Sequence, residues 1–459
     1  MEYKLDYEKI NKFVDKKGKY TYRRRLVTNV LPLPTREPER AKFDKGFISV
    51  VGGVIRKING KNILVDLTDT AIDEVIILGN YKGDESKELF RYYLTEQLKE
   101  LNDGKISSFK QMEHIPFADN TSEQKGEIEF VSFFYDTFIG KDIERVREIL
   151  QNIEDPNLIA EILDYLSLDT EYAKNQKNES YKNFFPSLKE QFFKDLETLA
   201  QNQSFLLAHI AALFVHYTFV AMSQIILQIN KITNFNQQEL IPVYYILQWE
   251  KAARWRNSYK QGYKMLIGEM EGFFAHEHAL NIVGLNTFSN QRNLFYHSIK
   301  NLLSDAGTEA ENQFVQSIYD WLNDVYKVKT GIQVENYSSE KTIDQAFEDL
   351  LTAVRPGISK EINSRYQKAF EAIVSKFFRK HGGSLGTLLS LSQEQLLLLV
   401  AVSVRNQRIE LKQLWIEFEN RGIWLDHHSK EEVVKVLDKL NYLEKKSDSG
   451  DAQYVKSIL

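Results

Sequence analysis

Nine histidines and no cysteine set the limits on what chemistry this chain could carry. Without cysteine there is no thiolate metal site, no Cys nucleophile and no disulfide. The densest metal-type group is His276-Glu277-His278, with His297 further along. Two histidines separated by one residue on a helix point about 200° apart. They cannot easily hold one ion, and the group reads as part of a core. His209 and His216 lie seven apart on one helical face, as two buried, hydrogen-bonded histidines would. Asp426-His427-His428 stands just before a capping signal and reads as an exposed turn. A nuclease of the restriction type needs a strand-borne Asp followed by a Glu-x-Lys pair. Asp66 lies in an apolar run, but Glu74-Val75-Ile76 lacks the lysine. Gly60-Lys61 falls short of a phosphate loop, because the GxxxxGK[ST] spacing is missing and Asn62 replaces the metal-binding hydroxyl. No HExxH or GxSxG appears, nor GxGxxG after a strand. No catalytic residue, metal ligand or cofactor is therefore assigned, and the chain reads as a non-enzyme.

Binding chemistry is better represented. Arg23-Arg24-Arg25, interleaved with Tyr20 and Tyr22, offers contact with nucleic acid or an acidic partner. A second segment runs from Trp249 through Arg254, Trp255 and Arg256 to Tyr259, Lys260, Tyr263 and Lys264. On one helix, Arg256, Tyr259, Lys260, Tyr263 and Lys264 would form a stripe that meets phosphates and stacks bases. The alternative is a helix whose aromatics enter the core and whose cations face water. Lys445 and Lys446 add charge near the C-terminus, offset by Asp448 and Asp451. The overall net charge of −5 conceals an asymmetry. Residues 1–65 hold 16 Lys/Arg against 7 Asp/Glu, so residues 66–459 hold 43 against 57. A polyanion is expected at the N-terminal end.

The elements that must position these groups are mainly helical. With 459 residues, 43% hydrophobic and 27% charged, the chain suits a globular protein of several domains. Residues 1–45 read as a basic, extended arm, with Pro32, Pro34 and Pro38 opposing helix. Residues 46–120 read as a small α+β unit. Its strands are Phe47–Val51, Asn62–Leu67 and Glu74–Leu78, with a hairpin at Asn59-Gly60 and a helix at Ser86–Leu101. Residues 130–381 read as a helical domain, including helices at Ser204–Ile229 and Gln238–Phe274. Gly382–Gly386 reads as a flexible joint.

Residues 387–459 read as a winged helix. Helices at Ser392–Val404 and Ile409–Asn420 precede a third, opened by a Ser429/Glu432 capping box, and strands follow at Tyr442–Lys445 and Gln453–Lys456. The outer positions of its third helix, Lys430, Glu431, Lys435, Asp438 and Lys439, are of mixed sign, which favours protein docking over base reading. The N-terminus lacks a signal-peptide core. The uncharged stretch Gln203–Ile229 is long enough to span a membrane, yet its polar residues favour a buried core helix. A soluble, cytoplasmic protein is expected.

The block Leu240-Ile241-Pro242-Val243-Tyr244-Tyr245-Ile246-Leu247-Gln248-Trp249-Glu250-Lys251, with Arg254, Arg256 and Gly262, resembles one in the DptG family. Phe273–His278 and Lys446–Val455 are similar to that family as well. The resemblance covers most of residues 130–459. It implies a non-catalytic subunit of an antiphage restriction complex that attacks DNA lacking phosphorothioate marks. DptF and DptH would be the partner subunits, with ATPase and helicase- or nuclease-like activities attributed to them. DNA would be held through the complex, with Arg23, Arg24, Arg25, Arg254, Arg256, Lys260, Lys264, Lys445 and Lys446 as candidate contacts. Two other readings stay open: a metal-dependent nuclease using Asp66, Glu74, His276 and His278, and a kleisin-like bridging protein of an SMC-type complex.

Overall fold

The computed structural model describes residues 2–61, 69–151, 157–166, 180–251, 255–334, 336–445 and 453–459. With 64% helix and 6% strand, the protein is mainly α. Its central element is α9 (Gln203–Ile229), capped by the Asn202 side chain on the Phe205 amide. The helix is apolar around most of its circumference, so it is covered on all sides from Leu213 to Ile229. Among the described residues it is the one helix long and apolar enough to cross a membrane, and most of it lies inside the protein. Its polar side chains serve the interior: Gln224 and Gln228 bond the backbone of the 236–241 loop. Around it lie α5 (Thr121–Phe134), α8 (Pro186–Ala200) and α10 (Tyr263–Glu269).

The N-terminal part departs from the expected α+β unit. Phe47–Val51 opens α2 (Ile48–Asn59), and Glu74–Leu78 belongs to α3 (Asp69–Leu78), so neither run is a strand. Almost every residue of α2 is buried, which removes the alternation that distinguishes strand from helix. Gly52 and Gly53 let neighbours approach closely. A Cβ on Gly52 would meet the Met112 carbonyl at 2.5 Å, and one on Gly53 would meet Val131 at 2.5 Å. Asn59-Gly60 is a helix end rather than a hairpin, with Gly60 in the left-handed region at φ 67°. Asn62–Leu67 lies outside the described residues. The helix expected at Ser86–Leu101 is α4 (Asp84–Asn102).

Nor are residues 1–45 a free arm. They begin with α1 (Tyr7–Val14) and a two-stranded ribbon, β1 (Asp15–Lys16) with β2 (Lys19–Tyr20). An extended strap follows, seating Val30, Leu31 and Leu33 in the core. Its backbone is held by Asn281, whose side-chain oxygen accepts from the amides of Leu26, Val27 and Thr28.

The helix expected over Gln238–Phe274 is broken. The chain runs as a loop into β3 (Tyr244–Tyr245), turns through a 3-10 segment at Ser258–Gln261, and only then forms α10 and α11 (Phe273–Gly284). Gly262 is packed tightly at this break, where a Cβ would meet the Tyr244 carbonyl at 2.6 Å. Beyond it lie α12 (Tyr296–Ala306), α13 (Thr308–Trp321), α14 (Ile343–Val354) and α15 (Lys360–Phe377). Gly382–Gly386 forms the turn of a hairpin between β4 (Arg379–His381) and β5 (Thr387–Leu389), not a joint.

The C-terminal elements follow the expected order except that Ile409–Glu410, expected to open the second helix, is a strand. They are α16 (Gln393–Val404), β6 (Ile409–Glu410), α17 (Leu411–Asn420), β7 (Trp424–Leu425), α18 (His427–Lys439), β8 (Leu443–Lys445) and β9 (Gln453–Val455). The last sheet has the order β6-β9-β8, while β7 pairs in parallel with β3. The Ser429/Glu432 box does not form. Asp426 caps α18 by accepting from the Ser429 amide, and Ser429 is buried. The boxes that do form are Thr342/Gln345 and Ser392/Gln395. Arg421, at the end of α17, is wholly buried and makes a two-point pair with Asp195 of α8, at 2.7 and 2.6 Å. Tyr217 donates to the same carboxylate at 2.6 Å.

Candidate nucleic-acid interface

Five cations stand exposed on two adjoining segments: Lys260 and Lys264 beside α10, and Lys376, Arg379 and Lys380 at the end of α15 and on β4. None makes an ion pair with a described residue, and residues 255–264 and 376–381 contain no Asp or Glu. The fold brings them together. The Ile246 amide donates to the Leu389 carbonyl at 2.8 Å, α10 packs on β5, and Tyr263 donates to Glu371 of α15 at 3.0 Å. The indole of Trp249 lies over the hairpin turn, so close that a Cβ on Gly383 would meet it at 2.6 Å. Trp255 is 86% exposed, the most open of the large hydrophobic side chains described. Cations without partners beside an open aromatic can meet phosphates and stack a base. Lys260 and Lys264 were read from the sequence. Lys376, Arg379 and Lys380 were missed, because they lie where the 359–381 helix was expected to run on. The signal that could have found them is Arg-Lys-His followed by a glycine-rich turn and Thr-Leu-Leu.

Arg256, expected to share this stripe, has another role. Its guanidinium clamps Asp426 at 2.8 and 2.6 Å and donates to the Gln248 carbonyl and the Ser429 hydroxyl, each at 2.9 Å. The same contacts hold the Asp426 carboxyl below its ordinary range, although burial opposes this. Lys251 pairs with Glu431 on α18, which holds that carboxyl down at about 2. The loop is thereby fastened to the start of α18. Arg254 and Lys446 lie outside the described residues, and Lys445 ends β8.

The N-terminal arginines are mostly committed to the interior. Arg24 sits over the Tyr366 ring, pairs with Glu277 at 3.3 Å and donates to the Leu33 carbonyl. Arg25 pairs with Glu129 at 3.1 Å and donates to the Leu31 carbonyl at 2.8 Å. Only Arg23 is exposed. Lys16, Lys17 and Lys19, on and between β1 and β2, are exposed as well and make no ion pair with a described residue, so part of the N-terminal excess of positive charge stays open to solvent.

His276, Glu277 and His278 are all buried, and each meets different elements. His276 bonds Asn230 at 2.9 Å, Glu277 accepts from Tyr366 at 2.7 Å, and His278 bonds Tyr20 at 2.8 Å. Burial lowers His276 to about 3, with the Arg355 charge adding to the effect, and lowers His278 to about 4. His216 bonds the Arg421 carbonyl at 2.9 Å, and His209 approaches Glu394 at 3.7 Å. Glu74 is exposed on α3, away from the two histidines in chain and element, and Asp66 lies outside the described residues. The four groups named for a nuclease are therefore not brought into one described centre. Two other sets gather donor atoms within 4.8 Å of one another: His427, His428 and Glu431, and Glu113, His114 and Asp164.

Comparison with known proteins adds no relative to this picture. No family model matches the chain, and no curated protein matches it.

Proposed function

We propose that this chain is a non-catalytic subunit of a phosphorothioation-dependent restriction complex, docking DptF- and DptH-type partners and helping to hold unmodified DNA. The observation that carries the DNA part is the exposed set Lys260, Lys264, Lys376, Arg379 and Lys380 beside Trp255. The restriction part rests on the sequence resemblance of the 240–262, 273–278 and 446–455 blocks. The C-terminal elements are read as a winged helix, with α18 as its third helix. Its outward residues Lys435, Asp438 and Lys439 mix signs, which favours a protein partner over base reading. DNA would be gripped by its phosphates and by stacking.

The test is co-purification of this chain with its operon neighbours, together with DNA binding at two salt concentrations. Stable association with the ATPase partners, and weak binding by the chain alone, are expected. Five phosphate contacts would give a log–log salt slope of about −4 to −5 on duplex DNA. Cutting by the isolated chain, or binding insensitive to salt, would overturn the reading.

A further inference from the structure

One cluster, made of none of the residues of the basic surface, carries chemistry that DNA holding does not use. Glu113 and His114 close the 3-10 turn Lys110–His114, Asp164 lies on α7 (Leu158–Leu166), and Lys61 directly follows the C-cap of α2. His114 is 2% exposed, and its Nε2 makes no hydrogen bond. That atom lies 3.6 Å from Glu113 Oε1 and 3.4 Å from Asp164 Oδ1, and all three donors fall within 4.8 Å of one another. Zinc–ligand bonds of about 2.0–2.1 Å give a tetrahedral edge of about 3.4 Å between donors. Two of the three separations already match that edge.

We propose that Glu113, His114 and Asp164 bind one divalent transition-metal ion of the Zn2+ class. The imidazole donor and the small number of protein ligands argue against Ca2+ or Mg2+, which take six or more oxygens. The surroundings orient the ligands as the partners of a metal site do. Asn59 Nδ2 donates to Glu113 Oε2 at 2.8 Å, leaving Oε1 turned toward His114. Arg56 fixes the turn that carries both ligands by donating to the carbonyls of Glu113 and Ile115, each at 2.7 Å.

Lys61 is the competitor. Its ammonium bridges Glu113 Oε1 at 2.7 Å and Asp164 Oδ1 at 2.8 Å, using the oxygens the ion would need. The Lys61 side chain is 32% exposed on a flexible stem, so it can withdraw to water when an ion enters. Two carboxylates then meet a charge of +2 in place of +1. Metal-free protein keeps the pair half-neutralised by Lys61, and binding is an exchange of one cation for another. This inference is independent of the DNA reading.

The experiment titrates the chelator-stripped full chain with Zn2+, and separately with Mn2+, by calorimetry and dye competition. One Zn2+ per chain is expected. His114→Ala and Asp164→Asn should weaken binding by roughly a hundredfold or more. His427→Ala, in the other donor cluster, should leave it unchanged. Lys61→Met should tighten it by roughly tenfold, because a competing charge is removed. A wild-type chain that binds no Zn2+ at micromolar concentration overturns the assignment, as does binding that survives His114→Ala or disappears with His427→Ala. Should His114→Ala not fold, Lys61→Met decides, since unchanged or weaker binding there excludes the exchange.

Discussion

Two stretches with the same sequence character, arginine and lysine interleaved with aromatics, meet opposite fates. In the 20–25 strap, Arg24 and Arg25 are drawn into the body by Glu277, Glu129 and strap carbonyls. In the 255–264 segment, Arg256 alone is taken inside, while Lys260, Lys264 and Trp255 stay open. The difference lies in the acceptors waiting nearby. A guanidinium is planar, presents several donors and is weakly hydrated, so buried carboxylates and carbonyls capture it. An ammonium is strongly hydrated and stays at the surface unless a carboxylate lies within reach. A basic run in sequence is therefore ambiguous until the acidic residues far along the chain have been placed.

The sharpest way to break this contrast is to remove a buried cation. Arg421→Met leaves Asp195 without its partner at a site where both are 0% exposed, and should cost about 3–5 kcal/mol in denaturant unfolding. A loss below about 1 kcal/mol would mean that the pair does not hold α17 to α8. Acid separates the regions next. His216, His276 and His278 are lowered to about 4, 3 and 4 by burial. Their rings are neutral in the fold, so the unfolded chain takes up protons first as pH falls below about 6.5. Stability is fully present above that value and declines toward pH 4, by about 3 kcal/mol for each ring. A flat unfolding free energy between pH 6.5 and 5 would contradict the burial of these rings.

Trp255→Ala should leave unfolding unchanged and weaken single-stranded DNA binding by about 1–3 kcal/mol. Equal affinity for wild type and variant would remove stacking from the proposal. The smallest effect belongs to a single surface cation. Lys380→Gln should alter stability by less than ~0.5 kcal/mol and lower the salt slope by about 1. An unchanged slope would place the DNA path elsewhere.

Helices with strong local signals were legible in the sequence: α9 by its long apolar run, α14 and α15 by periodicity, and α16 to α18 by spacing, although the cap of α18 is Asp426 and not the expected box. The 46–78 region was not, because β-branched runs buried on every side carry no period to read, and tertiary packing decides their state. Gly52-Gly53 serves close helix packing against Met112 and Val131. The 238–274 helix failed over its first half, where β3 pairs with β7 from far along the chain, and helix begins only after Gly262, packed tightly on Tyr244. Two of the five cations of the basic surface, Lys260 and Lys264, were legible. The rest needed β5 to bring the 376–381 segment beside α10. The Glu113, His114 and Asp164 set was invisible, since its members are fifty residues apart and only the packing of α7 on the 110–114 turn unites them.

The pair between Asp195 and Arg421 spans 226 residues, and the one between Arg24 and Glu277 spans 253. During synthesis, α8 leaves the ribosome long before residue 421 exists. Until then Asp195 must stay hydrated, or be buried without its counter-charge at a cost the nascent body cannot bear. Completion of the helical body is thus a late event on the ribosome, slowed by the high sequence separation of its closing contacts. A stop codon shortly before Arg421 would not release a working body minus an appendage. It would release a chain in which Asp195 has lost its counter-charge and His216 its carbonyl partner, and which could not finish folding.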